Sequence, residues 1–207
     1  MRGLYAVTPD THDTSWLVAA VQAAVRGGAR VVQYRNKTAD ARLKSLQAKA
    51  LASAITGSDA ILIVNDDVHI AAEVEAHGVH LGEDDPALAD ARKALGKHAL
   101  IGVSCYNDFS RAQALVEQGA DYVAFGSFFA SRIKPAARRA DLALLRDARL
   151  LNVPVVAIGG ITAENARILA REGAHAVAVI SAVFDHRDPA EIERAARAIA
   201  AVFAEVV

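Results

Sequence analysis

The segment Gln33-Tyr34-Arg35-Asn36-Lys37 gathers an amide, a phenol and two cations directly after the apolar pair Val31-Val32. If it ends a strand, alternation puts Gln33 and Arg35 on the same face as Val31. A guanidinium turned inward without a partner is very costly, so Arg35 needs either an anionic ligand or a carboxylate of the chain. The expectation is an anionic ligand. Two further runs end in acids: Ile63-Val64-Asn65-Asp66-Asp67, and Gly78-Val79-His80-Leu81-Gly82-Glu83-Asp84-Asp85. On neighbouring strands Asp66 and Asp85 would come close, and adjacent carboxylates repel unless a cation or a proton sits between them. Hard oxygen ligands favour Mg²⁺, which takes one or two carboxylates together with substrate phosphates. Each acid alone is equally readable as a loop or N-cap residue. The cations Arg35 and Lys37 nearby favour a metal-held diphosphate.

Other segments carry weaker signals. Ser104, in Gly102-Val103-Ser104-Cys105-Tyr106, can donate a hydrogen bond to a phosphate oxygen or serve as a solvated loop serine. No base accompanies Cys105, which reads as an inert packed thiol. The run from Gly126 to Lys134 combines a glycine, hydroxyls at Ser127 and Ser131, and the cations Arg132 and Lys134. That composition suits phosphate recognition, with a loop ion pair as the plainer role for Lys134. Gly159-Gly160 and Val179-Ile180-Ser181 can offer backbone N–H groups to a phosphate, the glycines permitting close approach. The seven histidines show no i, i+4 zinc pairing, and His80 reads as a satisfied interior residue rather than a catalyst.

What must position these residues is a repeated unit. Short β-branched runs at 4–8, 30–35, 60–66, 78–82, 100–104, 122–126, 153–159 and 176–181 alternate with Ala-rich segments such as 14–26 and 39–56, whose apolar residues have helical spacing. Eight strand–helix units predict an α/β protein of parallel strands: a single (β/α)8 TIM barrel over residues 1–207, with the polar strand ends at its C-terminal, active-site face. The pairs Gly28-Ala29, Gly78-Val79, Gly119-Ala120 and Gly173-Ala174 precede the second, fourth, sixth and eighth strands. They predict a quasi-fourfold repeat of double units, each glycine closing a helix in the left-handed conformation.

Bulk properties exclude several classes. With 23 Lys and Arg against 24 Asp and Glu, the chain has no global field for nucleic acid or anionic membrane. Its partners are expected to be small molecules, and homo-oligomerisation stays open. No apolar stretch approaches the roughly 18 residues of a membrane span. One cysteine excludes an intrachain disulfide, and the early charge at Asp10 is unlike a secretory signal, so a cytoplasmic setting is expected. Aromatics are only 5% of residues, so aliphatic side chains must fill the core.

Taken in order, these segments resemble the thiamine phosphate synthase family from about Leu4 to Phe184. The resemblance implies a transferase that joins a hydroxymethylpyrimidine diphosphate to a thiazole phosphate and releases pyrophosphate. It implies that Gln33, Tyr34, Arg35, Asn36, Lys37, Asn65, Ser104 and Lys134 hold the pyrimidine diphosphate, with Arg35, Lys37, Ser104 and Lys134 assisting departure of pyrophosphate. Asp66 and Asp85 would bind one Mg²⁺. Ser131, Arg132, Ile133, Gly160, Ile180 and Ser181 would hold the thiazole phosphate. Three positions depart from the family pattern: Ala130 where proline is common, Glu83 where glutamine is common, and Ile133 where a threonine would contact the phosphate. A related barrel, a thiazole tautomerase, needs a general base. Such relatives are expected to place a histidine near the end of strand five, where this chain has Tyr106. A non-catalytic phosphate-binding barrel would not need paired acids beside a cationic strand end.

Overall fold

A computed structural model describes residues 1–130 and 139–205 of the chain. The first half runs β1 (Gly3–Val7), α1 (Thr14–Arg26), β2 (Ala29–Tyr34), α2 (Ala41–Ile55), β3 (Ile61–Asn65), α3 (Val68–Glu73), β4 (Gly78–Leu81) and α4 (Leu88–Leu95). The second half runs β5 (Leu100–Tyr106), α5 (Phe109–Glu117), β6 (Tyr122–Gly126), α6 (Ala143–Asp147) with a 3₁₀ turn (Ala148–Leu151), β7 (Val155–Ile158), α7 (Ala163–Glu172), β8 (Ala176–Val179), α8 (Ser181–Phe184) and α9 (Pro189–Glu205). Every neighbouring strand pair is parallel, and β8 pairs with β1, so the sheet closes into the expected barrel.

Strand alternation builds two cores. One set of side chains, including Leu4, Val32, Leu62, Val79, Ile101, Val123, Ala157 and Val177, packs outward against the helices. The other set points into the barrel: Tyr5, Val7, Val31, Ile63, Tyr122, Ala124, Val156, Ala176 and Ala178. A parallel sheet covered on both faces requires this division, because each strand is buried on both sides. The interior is filled unevenly. Tyr5 and Tyr122 are its large members, and a Cβ at Gly102 would land on the Tyr122 ring. The glycine on β5 therefore makes the space that the tyrosine on β6 occupies.

The helices start where acids cap them. Asp13, Asp40, Asp67 and Asp108 accept from the N–H of Trp16, Leu43, Ile70 and Arg111, respectively. Such caps are worth about 1 kcal/mol each. At the opposite face the fourfold pattern holds in part. Gly28, Gly119 and Gly173 have φ of 102°, 98° and 120°, as a left-handed helix end requires. Gly78 does not; it lies in β4, and a Cβ there would overlap the Leu100 backbone, while the left-handed residue after α3 is Glu75. The repeat reappears in a side chain. The residue before β4, β6 and β8 accepts the N–H that opens or follows the start of the preceding strand: His77 from Leu62, Asp121 from Ile101, and His175 from Val155.

Gly102→Ala is expected to displace Tyr122 and lower unfolding stability by about 1–3 kcal/mol. Urea denaturation followed by circular dichroism measures it; an unchanged midpoint would contradict the packing account.

Candidate active site

At the C-terminal mouth of the barrel lies a cavity of about 530 Å³. Its wall includes Gln33, Arg35, Asn65 and Ser104 from β2, β3 and β5, and Gly160, Ile180 and Ser181 beyond β7 and β8. These were separated by up to 148 residues in the chain, and barrel closure brings them to one rim.

Arg35 does not wait unpaired for an anion. Its Nη1 donates to Asp10 Oδ1 at 3.1 Å, and the Lys37 backbone N–H donates to the same oxygen at 2.7 Å. A reciprocal pair at 2.8 Å joins the Arg35 backbone to the Thr8 hydroxyl, which accepts from the Arg35 N–H and donates to its carbonyl. The carboxylate alternative is therefore the one the fold uses. A guanidinium has five N–H donors, and one bond to Asp10 leaves others for a ligand.

Tyr34 and Asn36 do not line the barrel-mouth cavity. The Tyr34 hydroxyl donates to Gln47 Oε1 at 2.9 Å, and Asn36 Nδ2 donates to the same oxygen at 3.0 Å and to the Thr11 carbonyl at 2.6 Å. The alternation that turns Gln33 and Arg35 inward turns these two outward. Their side chains anchor the strand end to α2, and both line a neighbouring cleft together with Lys37, Asn65 and Asp66.

The acids meet as the neighbouring strands require. Lys37 Nζ lies 3.4 Å from Asp66 Oδ2, and the Asp66 and Asp85 carboxyl groups are hydrogen-bonding neighbours. Burial, then Asp66, pushes the Asp85 carboxyl above the usual carboxylate range, against the opposing pull of the Gly82 N–H and Lys37. Neither acid is the cap of a helix: Asp67 caps α3, and the N-cap of α4 is Ala87, which makes no side-chain cap bond. Asp66 has φ of 63°, the left-handed region where Asp and Asn are enriched among non-glycine residues. Among the described residues no three His, Cys, Asp or Glu side chains group as a metal site.

Polar side chains that line the cavity form, with the buried Tyr122, a continuous chain. Gln33 Nε2 donates to the Tyr5 hydroxyl at 2.7 Å, and the Tyr5 and Tyr122 hydroxyls lie 2.9 Å apart. Tyr122 is 3.1 Å from His80 Nδ1, and His80 Nε2 is 3.0 Å from Ser104 Oγ. His80 is thus the satisfied interior residue that the sequence predicts. Burial pushes its pKa down to about 4. Burial also pushes the Cys105 thiol up to about 12, which makes it inert.

Sequence reasoning missed Asp10, Tyr5 and Tyr122. Asp10 follows β1 as Asp66 follows β3, and the two tyrosines share the inward parity of Val7 and Ala124. In a chain with few aromatics, tyrosine at an inward strand position was the available signal. Ser131, Arg132, Ile133 and Lys134 lie outside the described residues.

The depressed His80 pKa has a definite sign in stability. The unfolded chain binds a proton near pH 6.5 and the folded one only near 4, so this contribution is complete above 6.5 and falls away as pH drops toward 4. The loss is about 3 kcal/mol in size. Urea denaturation from pH 7 to 4 should show a steeper fall in the unmodified protein than in His80→Gln; parallel curves would contradict the assignment.

Three comparisons bear on identity. Residues 4–183 match the family model described as thiamine monophosphate synthase. The thiamine-phosphate synthase of Methylobacillus flagellatus is 50% identical over 197 residues, 95% of this chain and 93% of that protein. That of Nitrosococcus oceani is 51% identical over 191 residues, 91% and 88% of the two chains. Among solved structures, thiamine phosphate pyrophosphorylase from Pyrococcus furiosus superposes with a TM-score of 0.87 at 33% identity, covering 99% of this chain and 96% of its own. With half of its residues shared with synthases over nearly its whole length, and the barrel in common, the chain belongs to the thiamine monophosphate synthase family.

Proposed function

We propose that this chain is a transferase that condenses 4-amino-2-methyl-5-(diphosphooxymethyl)pyrimidine with a thiazole phosphate, giving thiamine phosphate and pyrophosphate. The observation that carries the reading is the convergence on one barrel mouth of Gln33, Arg35, Asn65 and Ser104 with the Lys37, Asp66 and Asp85 cluster beside them. The substrates are then small molecules, and neither nucleic acid nor membrane is required. No helix among the described residues is long and apolar enough to cross a membrane.

The donor set fits one Mg²⁺. Two adjacent carboxylates with Asp85 raised in pKa are under-neutralised by Lys37 alone, and hard oxygen ligands with room for substrate phosphate are what magnesium takes. When bound, the ion would neutralise charge developing on the diphosphate oxygens. Asp66 and Asp85 would hold it. Arg35, steadied by Asp10, would donate to the diphosphate, with Lys37, Ser104 and Lys134 as further cationic or hydroxyl contacts.

The reaction is a dissociative substitution. The bond between the pyrimidine methylene carbon and the diphosphate oxygen breaks, and pyrophosphate leaves with the electron pair. The pyrimidine ring's amino group stabilises the methylene cation, and the thiazole nitrogen supplies the pair for the new carbon–nitrogen bond. Preorganised donors on the leaving group are the largest kind of catalytic contribution in such a site. The remaining task of the barrel is to hold the thiazole over the methylene and exclude water, which would capture the same cation. Gly160, Ile180 and Ser181, which line the same cavity as Arg35, are proposed for the thiazole phosphate together with Ser131, Arg132 and Ile133.

No general base is needed for this bond. The tautomerase reading needs one, and the side chain at the end of β5 is Tyr106, while His80 is held neutral inside a hydrogen-bonded chain.

Coupling should require both substrates and Mg²⁺ and stop on chelation. Arg35→Ala should lower kcat by about 100-fold or more with the far-ultraviolet spectrum unchanged. Pyrophosphate release assayed with each substrate alone and together measures this. Turnover of the thiazole phosphate alone would favour the tautomerase, and binding without turnover would favour a non-catalytic barrel.

A further inference from the structure

We propose that Tyr122 and His80 are positioning residues that fix the Ser104 hydroxyl as a hydrogen-bond donor pointed into the cavity. This rests on the reading of Ser104 as a diphosphate contact and adds how that contact obtains its polarity.

A serine hydroxyl can donate or accept, and only donation is useful to a diphosphate oxygen. The five-residue chain that runs along the cavity removes the choice. Its first member, Gln33 Nε2, can only donate, so the Tyr5 oxygen accepts. Tyr5 and Tyr122 are each 1% exposed, and a buried hydroxyl hydrogen left without an acceptor costs about 1–3 kcal/mol. The Tyr5 hydrogen finds its acceptor in the Tyr122 oxygen 2.9 Å away. The Tyr122 hydrogen then goes to His80 Nδ1, and a neutral imidazole that accepts at Nδ1 carries its proton at Nε2. That Nε2–H donates to Ser104 Oγ at 3.0 Å. Ser104 accepts from His80, and its own hydrogen is left free for the cavity.

The reverse order fails on one count. If Ser104 donated to His80, then His80 would donate to Tyr122 and Tyr122 to Tyr5. The Tyr5 oxygen would receive two donors, and its hydrogen would have none of these partners. Rigid surroundings keep the chain in register. The His80 and Tyr122 rings stack with centroids 5.5 Å apart, and Arg111 Nε donates to the Ser104 carbonyl at 3.0 Å.

The direct test is nitrogen-15 NMR of the histidine rings in the unmodified, ligand-free enzyme at neutral pH. The Nε2–H tautomer at His80 is the result expected, and the Nδ1–H tautomer overturns the proposal. Kinetics provide the second arm. Tyr122→Phe removes the donor to Nδ1, so Nε2 can accept from Ser104 and draw its hydrogen out of the cavity. kcat should fall about tenfold or more, with KM for the thiazole phosphate little changed. Ser104→Ala should cost much less in the Tyr122→Phe background than in the unmodified enzyme; fully multiplicative losses overturn the proposal. Unchanged turnover of Ser104→Ala alone sinks the reading of Ser104, and this proposal with it, whatever the tautomer. Should Tyr122→Phe not fold, the tautomer in the unmodified enzyme still decides.

Discussion

Two carboxylates that touch cannot both be ionised at no cost, and Asp66 and Asp85 touch because β3 and β4 are adjacent staves of one barrel. That repulsion organises the mouth. Lys37 is drawn to Asp66, the Gly82 N–H turns to Asp85, and the Asp66 backbone is held in a left-handed turn by its N–H bond to the His80 carbonyl. A divalent cation would relieve the repulsion more fully than one exposed ammonium can. The ligand that completes such a cation's shell is then the anion beside it. On the proposed function, the acidic pair and the cationic strand end would be one device: the acids would call for a metal, and metal and cations together for a diphosphate.

A second layer lies beneath. The barrel interior carries an amide, two phenols, an imidazole and a hydroxyl in series, and among the described residues no buried side-chain polar atom lacks a partner. A fully satisfied buried network rigidifies its surroundings, whereas a partly satisfied one costs stability. Gly102 makes the room for Tyr122, so an omission of one side chain on β5 underlies the polarity presented at Ser104 two residues farther along the same strand. Arg35 is supported differently, by a carboxylate from the loop after β1 that also accepts from the Lys37 backbone.

Much of the fold was legible because both faces of every strand are buried, which makes each strand a short apolar run, and because the runs repeat. The inward turn of Gln33 and Arg35 was legible from alternation, and His80 as an interior residue from its place in a strand. Three things were not. Gly78 looks in sequence like Gly28, Gly119 and Gly173, yet it is required by the approach of the Leu100 backbone rather than by its own φ. Tyr34 and Asn36 sit in a polar run, and Gln47, the partner that occupies both, is remote in sequence. Asp10 as the partner of Arg35 follows only from the pairing of β1 with β2. Sequence spacing reports direction along one strand; which group meets it from another strand is a property of closure.

The central claim is that the Asp66–Asp85 pair holds one divalent cation together with the diphosphate. Electron paramagnetic resonance of Mn²⁺, used in place of Mg²⁺ and titrated with and without pyrophosphate, tests it most directly. The account predicts one bound ion per chain, tightened by pyrophosphate and lost in an Asp66→Asn, Asp85→Asn double variant that still folds. Undiminished binding of Mn²⁺ and pyrophosphate in that variant would contradict it.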